Sequence, residues 1–106
     1  MINNNILGLI GLAMKAGKVC FGADSVEENV IKRKVKLLII SEDSSERTKN
    51  KFINLSEKFN VPVIIDGDIE TLSKTIGKSN KAIIGIKDIN FAESIQKKYN
   101  GGDVIG

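Results

Sequence analysis

The chain has 106 residues, 42% of them hydrophobic and 5% aromatic, with 16 lysines and arginines against 13 aspartates and glutamates and a formal net charge of +3. That length allows a single domain over residues 1–106, burying roughly 60–70% of the surface its unfolded chain exposes. The absence of histidine excludes histidine-based catalysis and metal binding, and the mild basic excess leans toward anionic partners without approaching a histone-like charge.

A first helix is predicted over residues 4–16. The asparagines at 3–5 offer N-cap oxygens, and Gly17 suits the left-handed position past the helix end. Ile6, Leu9, Ile10 and Ala13 fall at i, i+3, i+4 and i+7 on one face, widened by Leu7, Leu12 and Met14. Gly8 and Gly11 each cost about 1 kcal/mol against Ala inside a helix, which points to another element packing closely there. A short strand follows over 19–21. The single cysteine, Cys20, has no second cysteine and no histidine beside it, so it reads as a small apolar strand residue.

A second helix is predicted over 23–32, with Asp24, Glu27 and Glu28 early, Lys32-Arg33-Lys34 at its end, and Val26, Val30 and Ile31 as its buried stripe. Acid first and base last is the polarity the helix dipole favours. The continuous apolar run at 36–41 reads as a strand covered on both faces. Ser44 or Ser45 then caps a third helix that runs to about 59, turns Phe52, Ile53, Leu55 and Phe59 inward, and stops at Asn60. A strand at 61–65 carries Pro62 at its start, where a ladder donor is least needed. Asp66-Gly67-Asp68 turns the chain into a short helix over 69–76 that ends at Gly77. A buried strand at 82–86 and a last helix, capped by Asp88 and reaching about 99, complete the order, with residues 100–106 a frayed tail.

Helices alternating with apolar strands predict an α/β fold: a three-layer α/β/α sandwich with a single mixed sheet of about four strands. The short first strand belongs at an edge, where it can run antiparallel to its neighbour. The apolar run at 6–14 is about half the roughly 20 residues a membrane span needs, and the N-terminus lacks the basic segment and cleavage site of a signal peptide. A cytoplasmic protein that does not engage membranes is expected.

Chemistry concentrates at one corner. Lys15-Ala16-Gly17-Lys18 closes the first helix, and Gly22-Ala23-Asp24-Ser25 opens the second. A helix N-terminus presents unpaired N–H groups and a positive dipole end, which attract phosphate. Residues 1–40 carry six basic and three acidic groups, residues 41–66 four and five, and the remainder six and five. The basic excess therefore belongs to the N-terminal helix–strand–helix segment, which is expected to set Lys15, Lys18 and the 32–34 cluster beside the second helix's start. This corner reads as a place for RNA.

These residues resemble a known family. Lys15-Ala16-Gly17-Lys18, Gly22-Ala23-Asp24-Ser25-Val26, residues 37–40 followed by Glu42-Asp43, then Asn60-Val61-Pro62-Val63 and Leu72-Ser73-Lys74-Thr75-Ile76-Gly77-Lys78 are similar to the archaeal and eukaryotic ribosomal proteins that bind kink-turn RNA. The resemblance spans about 6–98 and is nearest the small bacterial YlxQ-like branch. It implies that polar residues at the second helix's start read sheared G·A pairs, a basic residue there holds the backbone, and the loop before the last strand packs on extruded bases. The matching positions are Gly22, Asp24, Ser25 and Glu28. Asp24 stands where the family has Asn, Ser25 where it has Glu, and Glu28 where a cation is usual. In the loop at 76–81 a single apolar residue disfavours stacking, whereas Lys78 and Lys81 suit phosphate, and Gly77 is equally explained as a helix cap. The candidate RNA contacts are thus Lys15, Lys18, Gly22, Ala23, Asp24, Ser25, Glu28, Lys32, Gly77 and Lys78. For Glu27 and Glu28 a role as dipole partners is preferred.

Other readings compete. No phosphate-binding glycine loop, dinucleotide fingerprint or nucleophile with a base is present, so an enzyme is not expected, nor a cofactor or small-molecule substrate. Glu42, Asp43 and Asp66, each past a predicted strand, with Lys87 past the last, imitate a phosphorylated receiver domain. A receiver, however, needs its acids after the first long strand. A protein–protein adaptor without RNA binding is the remaining alternative, and RNA affinity discriminates it.

Overall fold

Apolar runs and capped amphipathic segments alternate along the chain. In the computed structural model, which describes residues 1–101, they form α1 (Asn4–Lys15), β1 (Val19–Phe21), α2 (Ala23–Ile31), β2 (Leu37–Ile40), α3 (Glu46–Phe59), β3 (Val63–Ile65), α4 (Ile69–Thr75), β4 (Ile83–Ile86) and α5 (Ile89–Gly101). The helix starts follow from side-chain oxygens that accept first-turn N–H groups. Asn3 accepts from Ile6, Ser45 from Thr48, Asp68 from Thr71 and Asp88 from Phe91. Gly17 and Asn60, with φ of 74° and 56°, take the left-handed conformation where α1 and α3 stop. The helix α5 continues through Gly101, two residues past its expected end, and the rest of the expected frayed tail, 102–106, lies outside the described residues.

The strands order as β1-β4-β2-β3 in one sheet. β2 and β3 pair in parallel, whereas β4 runs antiparallel to both β1 and β2. The sheet is thus mixed, with the three-residue β1 at an edge, as the sequence predicts. Alternation along each strand sorts the side chains between two layers. Leu37, Ile39, Ile64, Ile84 and Ile86 pack with Ile6, Ile10 and Ala13 of α1, Leu72 of α4, and Ala92 and Ile95 of α5. On the other face Leu38, Ile40, Cys20 and Ile83 pack with Val26 and Val30 of α2 and Phe52 of α3. These two clusters make the α/β/α sandwich.

Four expectations change. Leu12, expected to widen the buried face of α1, is 56% exposed, because that face is carried by Ile6, Ile10 and Ala13. Ile31 is 51% exposed, because the buried stripe of α2 runs through Val26 and Val30, and residue 31 turns about 100° beyond it. Gly8 has no atom near where a Cβ would stand, and at Gly11 a Cβ would meet Thr75 at an ordinary 3.6 Å. Close packing therefore explains neither glycine. It does explain Gly85, where a Cβ would lie 2.7 Å from the Cys20 sulfur and 3.1 Å from Val35. The predicted third strand loses Val61 and Pro62, because Pro62 contributes only its carbonyl, accepting from Leu38 N–H.

Candidate nucleic-acid interface

The α2 entrance is built on Gly22. Its φ of 87° is open to glycine at little cost, its N–H donates to the Ile83 carbonyl, and its own carbonyl accepts from Val26. Glycine brings no side chain, so no side chain caps α2. Ala23, Asp24 and Ser25 are exposed in its first turn. The positive end of the dipole faces outward there, with Asp24 the acidic residue of that turn.

Topology brings a second segment to this entrance. Because β4 is antiparallel to β1, the loop that leads into β4 arrives beside the end of β1. Lys78 and Lys81 set their ammonium groups 5.2 and 5.8 Å from the centroid of the Phe21 ring, one residue before Gly22. A buried hydroxyl holds the loop in shape. Ser73 Oγ accepts from Lys81 N–H at 2.7 Å and donates to the Lys81 carbonyl at 3.2 Å. Gly77, with φ of 71°, turns the chain out of α4, and Lys78 N–H donates to the Ser73 carbonyl. Sequence reasoning treated Phe21 as a strand residue and gave Ser73 no role. An aromatic next to a glycine-opened helix, and a serine in the last turn before a basic loop, were the available signals.

The remaining candidates are dispersed. Lys15 shares the groove between α1 and α4 with Lys74 and Gly77, so it reaches the loop side of the corner. Lys18 does not stand beside the α2 entrance. It precedes β1 at the end opposite Phe21, where its carbonyl accepts from Lys87 N–H. Lys32 caps the far end of α2, about 15 Å along the axis from Gly22 at 1.5 Å per residue. The expected gathering of Lys15, Lys18 and the 32–34 cluster at the entrance is therefore corrected. A helix that returns across the sheet separates its two ends by its own length.

The acids are also placed differently from expectation. Glu28 takes Lys32 in an ion pair at 2.8 Å, and that bond holds its carboxyl below the usual carboxylate range. Glu27 pairs with Lys51 of α3 at 2.9 Å. Both are ion-pair acceptors rather than partners of the dipole. Asp43 Oδ1 accepts from Ile69 N–H at the start of α4, and Asp66 accepts from Gly67 N–H and the Tyr99 hydroxyl. Lys87 follows β4 at the opposite end of the sheet, because β4 runs antiparallel to β2. The receiver-like grouping of these acids with Lys87 is not formed. Among the described residues, no group of three or more His, Cys, Asp or Glu could hold a metal ion, and no helix is long and apolar enough to cross a membrane.

A mixed sheet between two helical layers, with a glycine-opened helix beside a basic loop, defines an α/β/α domain of the ribosomal L7Ae type. The model of the Ribosomal protein L7Ae/L30e/S12e/Gadd45 family matches residues 4–95, and the chain belongs to this family. It is 33% identical over 95 residues to the RNA-binding protein YlxQ of Enterococcus faecium, covering 90% of this chain and 91% of that one. Against the RNA-binding protein YlxQ of Bacillus subtilis it is 30% identical over 87 residues, covering 82% and 87%. A solved protein of unknown function from Bacillus halodurans superposes with a TM-score of 0.85 at 31% identity, covering 89% of this chain and 95% of that one. The Giardia lamblia 15.5kD RNA binding protein shares the fold, with a TM-score of 0.78 at 19% identity over 95% of this chain and 92% of that one.

Proposed function

We propose that this chain is a non-enzymatic, cytoplasmic RNA-binding protein that docks structured RNA, ribosomal or kink-turn-like, on the corner formed by the start of α2 and the loop before β4. The observation that carries the reading is the seating of Lys78 and Lys81 against Phe21, beside first-turn N–H groups that no side chain caps. Two fixed cations and a positive helix end converge there on one surface, which suits a phosphate backbone. The RNA-binding names of the two relatives support the same conclusion.

Base reading at this corner is weak. The Asp24 carboxylate only accepts hydrogen bonds, whereas an Asn amide both donates and accepts. Glu28 is occupied by Lys32 and offers no cation to the backbone. Wild type is expected to bind a standard kink-turn with only modest preference over a duplex of equal length. The Asp24→Asn, Ser25→Glu, Glu28→Lys triple variant should raise that preference by about 1–3 kcal/mol if one good base contact is restored. Paired titrations of kink-turn and duplex RNA at one fixed salt concentration measure it. Absence of RNA binding by wild type would leave the adaptor reading, and no gain in the triple variant would mean that this corner does not read a kink-turn.

A further inference from the structure

Most of the basic excess that the sequence assigns to the α2 entrance lies at the other end of the sheet, and there it is ordered. Lys87 N–H donates to the Lys18 carbonyl at 2.7 Å, and Lys36 N–H donates to the Ile86 carbonyl at 2.7 Å. The register that pairs Val19 with Ile86 continues one step outward and sets Lys87 opposite Lys18, whereas Lys36 bonds the Ile86 carbonyl beside Leu37, a bulge that ends the β2–β4 register there. Lys18 and Lys87 thus stand side by side across β1 and β4 at about the 4.8 Å strand spacing, with Lys36 next to them just before β2. Alternation turns Lys18 and Lys87 toward the α2–α3 layer, since Val19 and Ile86 belong to the opposite one, but it is broken at the start of β2, where Val35 packs in the α2–α3 layer and Leu37 in the other. Lys18 and Lys36 are exposed and Lys87 is half-buried. The chain that leaves α2 adds Arg33, whose guanidinium sits 5.3 Å from the Phe59 ring centroid, and Lys34.

Like charges directly opposite on neighbouring strands destabilise a sheet, and Lys18 and Lys87 are such a pair, while Glu93 of α5 lines the groove that holds Arg33 and Lys36. The ion pairs among the described residues are Met1–Asp66, Lys32–Glu28 and Lys51–Glu27, and none includes Lys18, Lys36 or Lys87. Asp88, adjacent in sequence, accepts from Phe91 N–H as the cap of α5. A helix C-terminus accounts for some of the cations, because Lys36 Nζ donates to the Arg33 carbonyl at 3.4 Å past the end of α2. It does not account for Lys87, which stands one residue before the cap of α5, at a helix start where the dipole disfavours a cation.

We infer that the cluster of Lys18, Lys87 and Lys36 at this end of the sheet, with Arg33 and Lys34, is a second phosphate-binding surface that grips an RNA backbone segment apart from the one held at the α2 entrance. The inference rests on the RNA-binding reading and extends it: one small domain touches two stretches of RNA backbone from opposite ends of its sheet. The cluster's cations address phosphate, so its contribution is independent of sequence.

Salt-dependent titrations of the full chain against a kink-turn RNA with long flanking duplexes test this. The probes are wild type, Lys18→Gln/Lys36→Gln/Lys87→Gln, the matching triple Arg variant, and Lys78→Gln/Lys81→Gln. Neutralising the cluster should weaken binding about tenfold or more near 100 mM salt and reduce the slope of log K against log salt by about 2.7. The Arg triple should retain affinity within about twofold of wild type, which separates charge from any change in folding. Unchanged affinity and slope in the Gln triple, with binding weakened in Lys78→Gln/Lys81→Gln, would overturn the second surface and leave the RNA reading standing. A loss in the Gln triple that the Arg triple fails to restore would also overturn it. Absence of RNA binding by wild type would overturn both.

Discussion

Replacing Ser73 by Ala tests the link between a buried hydroxyl and the candidate interface. Ser73 is 2% exposed and makes two hydrogen bonds to one residue of the loop, accepting from Lys81 N–H and donating to the Lys81 carbonyl. A net 0.5–1.5 kcal/mol per bond sets a loss of about 1–3 kcal/mol. Lys81 is only half-buried, so water can replace part of what is lost, and about 1–2 kcal/mol is the expected cost. For a domain of this size that lowers the melting temperature by about 5–10 °C. Denaturant melts measure the stability, and hydrogen exchange at the Lys81 amide reports whether the loop is released. A released loop carries Lys78 and Lys81 away from Phe21, so affinity for RNA should fall further than that of a core variant of equal stability loss. A stability loss under about 0.5 kcal/mol, with the Lys81 amide as protected as before, would refute the claim that Ser73 sets the loop.

Packing around Gly85 gives a second test. Gly85→Ala should cost about 1–3 kcal/mol through overpacking against Cys20 and Val35, and less by at least about 1 kcal/mol in a Cys20→Ala background. Strictly additive melts would remove the clash as the reason for this glycine. Ile39, Ile64 and Ile84 lie in the sheet core, and each truncation to Ala should cost about 2–5 kcal/mol. Losses under about 1 kcal/mol at all three sites would contradict the strand assignments. The Asp66–Tyr99 hydrogen bond, 2.8 Å long, ties α5 to the turn after β3 and predicts a pH dependence. Burial raises the Asp66 pKa, but bonds from Tyr99 and Gly67 and the N-terminal ammonium outweigh it and lower the carboxyl. Its contribution is present above the ordinary carboxylate pKa and is lost as pH falls through the lowered folded value. Burial and then Asp66 push Tyr99 up to about 12, so the neutral phenol contributes below pH 10.0 and that contribution is lost as pH rises toward about 12. Tyr99→Phe should blunt both limbs in melts across pH, and an unchanged profile would show that the pair contributes nothing.

The nine elements were legible in the sequence because each is a local pattern. The i, i+4 stripe of Ile6 and Ile10, the continuous apolar run of β2, and the oxygens of Asn3, Ser45, Asp68 and Asp88 act within a few residues of themselves. The glycine that opens α2 and the basic loop before β4 were legible for the same reason, as was the family to which they point. Strand order and direction are not local. Only the tertiary structure decided that β4 runs antiparallel between β1 and β2. That one choice seats Lys78 and Lys81 on Phe21, carries Lys87 away from Asp43 and Asp66, and sets it opposite Lys18. Charge counted along the chain put Lys18 and Lys32 beside Gly22. The fold separates them because β1 runs toward Gly22 and α2 runs away from it, which leaves Lys18 before β1 and Lys32 after α2 both at the far ends of those elements.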